Sequence, residues 1–377
     1  MTSQQETIAM MALHRLFFYE PSLALQLWRR AGSAAAIMQP GAPVCDLMPQ
    51  ASARILRLMA AAPEMMHRAE AELDYNERHG IQTITYGSAP YPTLLLDCAD
   101  APLVLYVRGQ LPKEPAHAVS IVGTRRATAY GRDLTRRFVE QLHQALPEAL
   151  VVSGLAYGID IEAHRAANQC HQPTAAVLAH GLDELYPTPH RADAERMIEQ
   201  GGALISEYMT QTRAEKLNFV RRNRIVAGLS HATVLVESAA HGGGLITTRI
   251  AADYHRDVFA FPGAVGAPYS EGCNALIRSN TAMLITSAQD LMTAMNWIAD
   301  PAPQPTKKAA LQPSLFPTLT AEEQQLAAQL ETTNDLSIDM LTVRTGMTPP
   351  QLMALLFSME MKGVVRPLAG GTYHLLL

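Results

Sequence analysis

The sequence predicts an α/β protein whose core is a Rossmann-like, mostly parallel sheet, and two patterns between residues 116 and 299 predict it. Apolar runs of strand length recur there, each followed by a turn containing Gly or Ser and then by a helix-length amphipathic stretch. The runs are continuous, which indicates strands buried on both faces, and strand-helix alternation is typical of parallel sheets with right-handed crossovers. The predicted strands are residues 118–122, 150–152, 174–179, 203–205, 233–236, 258–261 and 283–285.

The segment before this core predicts a small all-helical domain over residues 1–80. Leu23, Leu27 and Trp28 recur at helical spacing, and turn residues at 32–33 and 40–43 mark breaks between helices. From residue 81 to 109 the pattern changes to short extended runs separated by a turn-rich stretch. We therefore predict that these residues lead into a core domain that spans residues 81–299.

The segment after the core predicts a linker and a third domain. Five prolines fall within the eighteen residues 300–317, which favours an extended linker over residues 300–318. Thr320 and Glu323 form a capping box at the start of one helix, and Thr348 with Pro349 opens another. With a helix between them and a hairpin after them, residues 319–377 predict a winged helix.

The composition excludes several classes of protein. The chain has 377 residues, of which 48% are hydrophobic, so it is too apolar for a disordered protein. Its 4 Cys residues lie far apart, without the spacing of a zinc site or a disulfide framework, and we predict no metal and no cofactor. The amino terminus lacks a signal-peptide pattern, and no apolar run approaches the ~18 residues of a membrane span, which predicts a cytoplasmic protein.

Candidate binding residues follow the predicted strands, because ligands collect beyond the carboxyl ends of an open parallel sheet. A Gly-Thr-Arg turn follows the first core strand, and three consecutive glycines precede a later helix, so backbone N–H groups can approach an anion at both places. A basic stretch containing one aromatic residue supplies further candidates. The candidates are Gly123, Thr124, Arg125, Lys216, Phe219, Arg221, Arg222, Asn223, Arg224, Gly242, Gly243 and Gly244.

The distribution of charge favours a polyanionic ligand although the whole chain is acidic. Residues 123–137 and residues 211–224 each carry a net charge of +4, while the whole chain carries −5, so the remainder carries −13. Two concentrated basic segments on an acidic body indicate a directed anion site, and Phe219 is suited to stacking against a base. A salt bridge or a solvated helix face is the alternative for any single arginine, and we favour it for Arg132, Arg136 and Arg137.

Short motifs follow one another along residues 85–290 in a characteristic order. They are Tyr91-Pro92, residues 101–109, residues 121–125, residues 153–160, Arg222-Asn223-Arg224, residues 245–247, Pro262-Gly263 and residues 274–277. In content and order they resemble the DNA processing protein A family, DprA, also called Smf. The helical amino-terminal segment, SAM-like in this family, and the winged-helix tail also fit the layout of the family.

The resemblance implies a function and a set of contacts. It implies a single-stranded DNA-binding mediator with no established catalytic activity, which acts as a homodimer and loads the RecA recombinase onto incoming DNA during natural transformation. By position it makes Arg125, Lys216, Arg222 and Arg224 contacts to phosphates. One departure is the run Gly242, Gly243 and Gly244, where many members have Ser-Gly-Ser, so hydroxyl contacts are lost and backbone donors remain.

An enzyme is the alternative interpretation. In a phosphoribohydrolase-like enzyme, Glu237 and the loop of residues 242–244 would hold and cleave a nucleoside monophosphate. A mononucleotide needs one phosphate cradle, whereas two separate basic segments suit a polymer. A third interpretation, a NAD-dependent dehydrogenase, lacks the glycine fingerprint and the acid that follows it.

The predicted recognition helix of the tail is unsuited to DNA. Residues 349–362 contain one lysine and no arginine, and residues 320–377 carry a net charge of −3. A helix that enters a phosphate-lined groove needs the opposite sign. We therefore expect the tail to be a structural or protein-interaction module.

Overall fold

A sheet that runs through the middle of the chain carries the candidate site. The structure is a computed structural model that describes residues 3–42, 44–49, 52–298, 319–368 and 371–376. Two compact units cover Met1–Asp300 and Pro301–Leu377. The predicted linker at residues 300–318 lies outside the described residues.

The core sheet is mixed but mostly parallel, as predicted. Among the described residues it has nine strands in the order β1-β2-β6-β5-β4-β3-β7-β8-β9, of which β1 pairs antiparallel with β2, and β2 antiparallel with β6. All other neighbours are parallel. The strands are β1 (Gln82–Thr85), β2 (Val104–Gly109), β3 (Ala118–Val122), β4 (Leu150–Ser153), β5 (Thr174–Val177), β6 (Ala203–Ser206), β7 (Ala232–Leu235), β8 (Asp257–Ala260) and β9 (Met283–Leu284).

The strand order places a switch point at β3. From β3 the chain winds through β4, β5 and β6 on one side and then returns to place β7 on the other side of β3. Loops that leave β3, β4 and β7 therefore diverge at the carboxyl edge of the sheet and leave a crevice between them. The predicted binding loops are among these.

Helices cover both faces of the sheet. Alternate residues of β3 enter different hydrophobic clusters, Val119 and Ile121 on one face and Ala118 and Val122 on the other, which explains the continuous apolar run. The helices of this unit are α1 (Ser3–Leu16), α2 (Pro21–Ala31), α3 (Ala34–Ile37), α4 (Val44–Leu47), α5 (Ser52–Met59), α6 (Ala62–Arg78), α7 (Thr93–Leu96), α8 (Ala129–Ala145), α9 (Ile159–Cys170), α10 (Arg191–Glu199), α11 (Lys216–Gly228), α12 (Gly243–Asp253), α13 (Glu271–Arg278) and α14 (Ala288–Ala294).

The amino-terminal helices pack directly on the core. Leu13 and Leu73 belong to the same hydrophobic cluster as Val104 of β2. The buried Glu72 carboxylate accepts hydrogen bonds from the Thr210 N–H at 2.8 Å and the Thr210 hydroxyl at 2.5 Å. Residues 1–80 are thus helical where they are described, and they share one compact unit with the sheet.

The carboxy-terminal unit has the predicted winged-helix elements. They are α15 (Ala321–Thr332), α16 (Ile338–Thr345), α17 (Pro349–Met361) and the strands β10 (Leu336–Ser337), β11 (Val365–Leu368) and β12 (Thr372–Leu375), in the sheet order β10-β12-β11. The predicted capping box at Thr320 and Glu323 is present. Glu323 is buried and accepts hydrogen bonds at 2.7 Å from the Lys362 ammonium, which lowers the pKa of its carboxyl to about 2.

None of the helices in the described part of the chain combines the length and the apolar character needed to cross a bilayer.

The buried His14 predicts a specific pH dependence of stability. Burial lowers the pKa of His14 to about 4, and repulsion from Arg224 acts in the same direction. Its Nε2 lies 3.1 Å from the Glu207 carbonyl oxygen. Below pH ~6.5 His14 binds a proton in the unfolded chain but stays neutral in the folded chain. His14 therefore lowers the free energy of unfolding by roughly 3 kcal/mol as the pH falls from ~6.5 to ~4.

Urea unfolding of the wild type and of His14→Gln across this pH range measures that contribution. The variant should lose stability less steeply as the pH falls, while His67→Gln, at an exposed side chain, keeps the wild-type dependence. The difference between wild type and variant isolates His14 from other buried histidines such as His164. Parallel stability curves for His14→Gln and the wild type would show that His14 is charged in the folded protein.

Candidate nucleic-acid interface

A cleft of about 610 Å³ opens at the carboxyl edge of the sheet, where the strand order reverses. Its walls come from the loops after β3, β4 and β7, from one face of α11 and from the start of α12. The sequence-predicted residues that line it are Gly123, Thr124, Arg125, Lys216, Phe219, Arg222, Asn223, Gly242, Gly243 and Gly244. The structure therefore brings ten of the twelve candidates together.

Hydrogen bonds between the turn after β3 and the loops after β4 and β7 hold Arg125 at the cleft. The Thr124 N–H donates to the Glu237 carbonyl oxygen at 2.8 Å, and the Ile159 N–H donates to the Thr124 carbonyl oxygen at 3.2 Å. Gly158 has a φ of +80°, and a Cβ there would lie 2.1 Å from the Thr124 oxygen. Only glycine fits this approach, so the turn after β4 sets the path of the turn after β3.

Helix α11 presents a cation and an aromatic ring to the cleft. Lys216, Phe219 and Asn223 lie three and four residues apart, which places them on one face of the helix. The exposed Arg125 guanidinium lies over the Phe219 ring, 4.7 Å from its centroid. Tyr186 approaches the same ring at 5.9 Å in a T-shaped arrangement. A cation suited to phosphates and an aromatic ring suited to stacking are therefore adjacent.

Arg222 forms the floor of the cleft. It is 3% exposed, and its Nη1 donates to the Gly154 carbonyl oxygen at 2.7 Å and to the Val177 carbonyl oxygen. Beneath it, burial raises the pKa of the Asp160 carboxyl, and the charge of Arg222 offsets part of that rise. The guanidinium thus joins α11 to the ends of β4 and β5.

Two predicted residues, Arg221 and Arg224, lie outside the cleft. Arg224 is buried and forms an ion pair with the Glu207 carboxylate, and its Nη1 donates to the Asp100 carbonyl oxygen at 2.7 Å. Arg221 points to the amino-terminal helices, with its guanidinium 4.1 Å from the centroid of the Tyr19 ring. We therefore leave both residues out of the contact set for the cleft.

The glycine run forms the start of α12. Gly242 is the N-cap, and no side chain in the described residues caps this helix. A Cβ on Gly243 would meet nothing within 4 Å, so this position faces open space. First-turn N–H groups at an uncapped helix start favour an anion.

Glu237, the carboxylate of the enzymatic alternative, is engaged elsewhere. Its Oε2 accepts a hydrogen bond from the Thr128 N–H at 2.9 Å, and its Oε1 accepts one from the Thr128 hydroxyl at 2.6 Å. Thr128 is the N-cap of α8. Glu237 does not line the cleft, and its contacts assign it to holding the start of a helix.

Several lining residues are absent from the sequence-based candidate set. They include Arg126, Asp160, His241, Thr247 and Tyr269. Arg126 was visible as part of the first basic segment, and Asp160 as the second residue of a helix that follows a glycine turn. Thr247 belongs to the motif at residues 245–247, and His241 directly precedes the glycine run, whereas Tyr269 carries no local signal. Within the described residues no group of three or more His, Cys, Asp or Glu side chains is placed to hold a metal ion.

Comparisons with known proteins identify the family of this chain. The family model described as DNA recombination-mediator protein A matches residues 82–296, and the DprA winged helix domain model matches residues 301–371. The chain is 35% identical to Protein Smf of Escherichia coli over 315 residues, which are 81% of this chain and 80% of that protein. It is 32% identical to the DNA processing protein DprA of Bacillus subtilis, over 72% of this chain and 89% of that protein.

Two solved structures have similar folds. The X-ray structure of DprA from Streptococcus pneumoniae matches with a TM-score of 0.55 and 30% identity, over 63% of this chain and 84% of that chain. A structure of DprA from Helicobacter pylori, described as showing its single-stranded DNA binding mode, matches with a TM-score of 0.51 and 28% identity, over 58% of this chain and 96% of that chain. The family models, the relatives and the shared fold identify this chain as a member of the DNA recombination-mediator protein A family, the DprA proteins.

Proposed function

We propose that this protein binds single-stranded DNA in the cleft at the carboxyl edge of its sheet and helps load the RecA recombinase onto that DNA during natural transformation. It acts in the cytoplasm, as a homodimer and without catalysing a reaction. Membership of a family of recombination mediators supports the mediator role. The single-stranded DNA binding of the Helicobacter pylori relative supports the choice of ligand.

The observation that carries the proposal is the adjacency of Arg125, Lys216 and Phe219 in one cleft. Arg125 and Lys216 are exposed and take part in none of the ion pairs among the described residues, so their charges are available to phosphates. Phe219 is half-buried on α11, which leaves part of its ring for a base. Stacking of this kind tolerates any base sequence, and a duplex does not offer unstacked bases.

The glycine loop supplies the remaining contact. The N–H groups at the start of α12 suit a phosphate in the cleft that Arg125 and Lys216 also line, because backbone donors and the helix dipole both favour an anion. The proposed contact set is therefore Arg125, Lys216 and Phe219 with the loops of residues 123–124 and 242–244, while Arg222 and Asn223 shape the floor.

The enzymatic alternative finds less support in the same geometry. A phosphoribohydrolase-like reaction needs a carboxylate that reaches the sugar in the cleft. Glu237 is 5% exposed and bonded to Thr128, and Asp160 is buried beside Arg222. The contacts of Glu237 and Asp160 therefore favour structural roles for both carboxylates.

The tail is proposed to contact protein rather than DNA. Met353, Phe357 and Met361 lie four residues apart on α17 and are 58%, 64% and 74% exposed. Lys362, the lysine next to this row, is bonded to Glu323 within the unit. An apolar, acidic helix face suits a protein partner and repels phosphates.

Replacing Arg125 or Lys216 in the cleft should weaken DNA binding and reduce its dependence on salt. We expect Arg125→Ala and Lys216→Ala each to lower the magnitude of the log–log salt slope for an oligothymidylate by about 0.7, the contribution of one phosphate contact on a single strand. Filter binding across a salt series measures this. Both variants should also slow RecA filament assembly on single-stranded DNA.

Arg137→Ala is the matched control, because Arg137 belongs to the same basic segment but is exposed on α8 outside the cleft. It should keep the wild-type slope. Equal slopes for Arg125→Ala, Lys216→Ala and the wild type would contradict the cleft assignment.

Glu237→Ala separates the structural role of this carboxylate from a catalytic one. Loss of both hydrogen bonds at Thr128 should lower the free energy of unfolding by roughly 2 kcal/mol. The salt slope for single-stranded DNA should stay unchanged. Urea unfolding and filter binding measure the two quantities, with Glu140→Ala, exposed on α8, as the control. A Glu237-dependent release of base from a nucleoside monophosphate would favour the enzyme instead.

Deletion of residues 300–377 tests whether the tail contributes to DNA binding. The shortened chain should bind an oligothymidylate with an affinity within a few-fold of the full chain, because an acidic tail contributes no phosphate contacts. The remaining residues form a compact unit. A hundredfold loss of affinity in the folded, shortened protein would refute this assignment.

A further inference from the structure

The exposed face of α11 continues beyond the cleft toward the amino-terminal helices. Lys216, Val220, Leu217 and Arg221 occupy successive angular positions around the helix, given ~100° per residue. Lys216 and Val220 line the cleft, Leu217 is 61% exposed next to them, and Arg221 follows. A chain that leaves the cleft over Val220 therefore meets Leu217 and then Arg221.

At Arg221 this face reaches an alternating stack of guanidinium groups and aromatic rings, which we call the cation–aromatic cluster. It consists of Arg221, Tyr19, Phe18 and Arg15. The Arg221 guanidinium lies 4.1 Å from the Tyr19 centroid and 5.6 Å from that of Phe18, and the Arg15 guanidinium lies 5.6 Å from Phe18. Tyr19 and Phe18 meet edge to face at 5.1 Å.

The aromatic rings and cations of the cluster are partly exposed to solvent. Tyr19 is 67% exposed although it contacts Arg221, so much of its ring faces solvent. Arg15 is also exposed, and neither Arg15 nor Arg221 takes part in the ion pairs found among the described residues. The neighbouring carboxylate of Glu20 is already paired with Arg54. Arg221 is half-buried, with one guanidinium nitrogen enclosed, and its charge acts on the buried Glu207 carboxylate. The cluster thus offers the exposed charge of Arg15 and the outer part of the Arg221 guanidinium beside an exposed aromatic surface.

We propose that the cation–aromatic cluster is a second contact site for single-stranded DNA, which takes nucleotides of the strand as it leaves the cleft over Lys216 and Val220. A base stacks on the exposed face of Tyr19, and Arg15 and Arg221 contact the adjoining phosphates. Exposed aromatic rings flanked by guanidinium groups are the chemistry that recognises single strands without sequence preference. This inference rests on the proposed function of the cleft.

Binding assays with two lengths of oligothymidylate distinguish the second site from the cleft. An oligothymidylate of about 6 nucleotides lies near the lower end of the ~4–16 nucleotides that a single OB fold covers, and one of about 20 nucleotides exceeds the upper end. Tyr19→Ala should lower the affinity for the long strand about tenfold, the loss expected for one stacked base, and leave the short-strand affinity unchanged. Tyr19→Phe keeps the ring and should bind both strands as the wild type does.

Arg15→Ala gives an independent measurement at an exposed residue. It should lower the magnitude of the salt slope by about 0.7 on the long strand alone. Arg125→Ala, in the cleft, should weaken binding of both strands. If Tyr19→Ala and Arg15→Ala bind the long strand as the wild type does while Arg125→Ala is impaired on both, the second site is wrong and the cleft stands.

The remaining outcomes are also decisive. Equal losses on both strands for Tyr19→Ala would mean that it acts by disturbing the fold, which overturns the second site. Full binding of both strands by Arg125→Ala would instead overturn the proposed function of the cleft. Length-dependent losses for Tyr19→Ala, rescued in Tyr19→Phe, support the inference.

Discussion

The geometry of the cleft depends on the buried guanidinium of Arg222. Its Nη1 bridges α11 to the Gly154 carbonyl after β4 and to the Val177 carbonyl at the end of β5. Gly154 is glycine because a Cβ there would lie 2.5 Å from the guanidinium. Removal of one partner from such a buried charged network typically costs about 3–5 kcal/mol. Since Phe219 and Lys216 lie on the same helix, their positions follow from this contact.

The contact between Arg125 and Phe219 couples two kinds of recognition. The Arg125 guanidinium lies over one face of the Phe219 ring, 4.7 Å from its centroid. A phosphate that attracts Arg125 away from the ring uncovers that face for a base. In the proposed function, phosphate binding at Arg125 and base stacking on Phe219 therefore assist each other. Because Arg222 is buried and bonded to carbonyl oxygens, the proposed salt dependence rests on the exposed cations of the cleft.

The sequence predicted the sheet and the edge at which the cleft lies because both follow from local patterns. The run at residues 118–122 coincides with β3, and the loops after β3 and β7 meet at the cleft because parallel strands end at one edge. It did not predict which arginines of residues 221–224 face the cleft. The structure makes them part of one helix, so consecutive side chains point in different directions. Their partners, Tyr19, Val177 and Glu207, lie far away or carry no local signal.

The net charge of the tail does not show which of its charges are paired within the unit. Residues 320–377 include three basic residues, and Lys362 is the one basic residue of the predicted recognition helix at residues 349–362. Its ammonium is bound to the buried Glu323 carboxylate, whose pKa it holds at about 2, so this charge is internally neutralised at every physiological pH. The outer face of α17 is left with Met353, Phe357, Glu360 and Met361. α17 (Pro349–Met361) contains no Lys or Arg that could offset the repulsion between Glu360 and a phosphate, which argues against groove binding more strongly than net charge does.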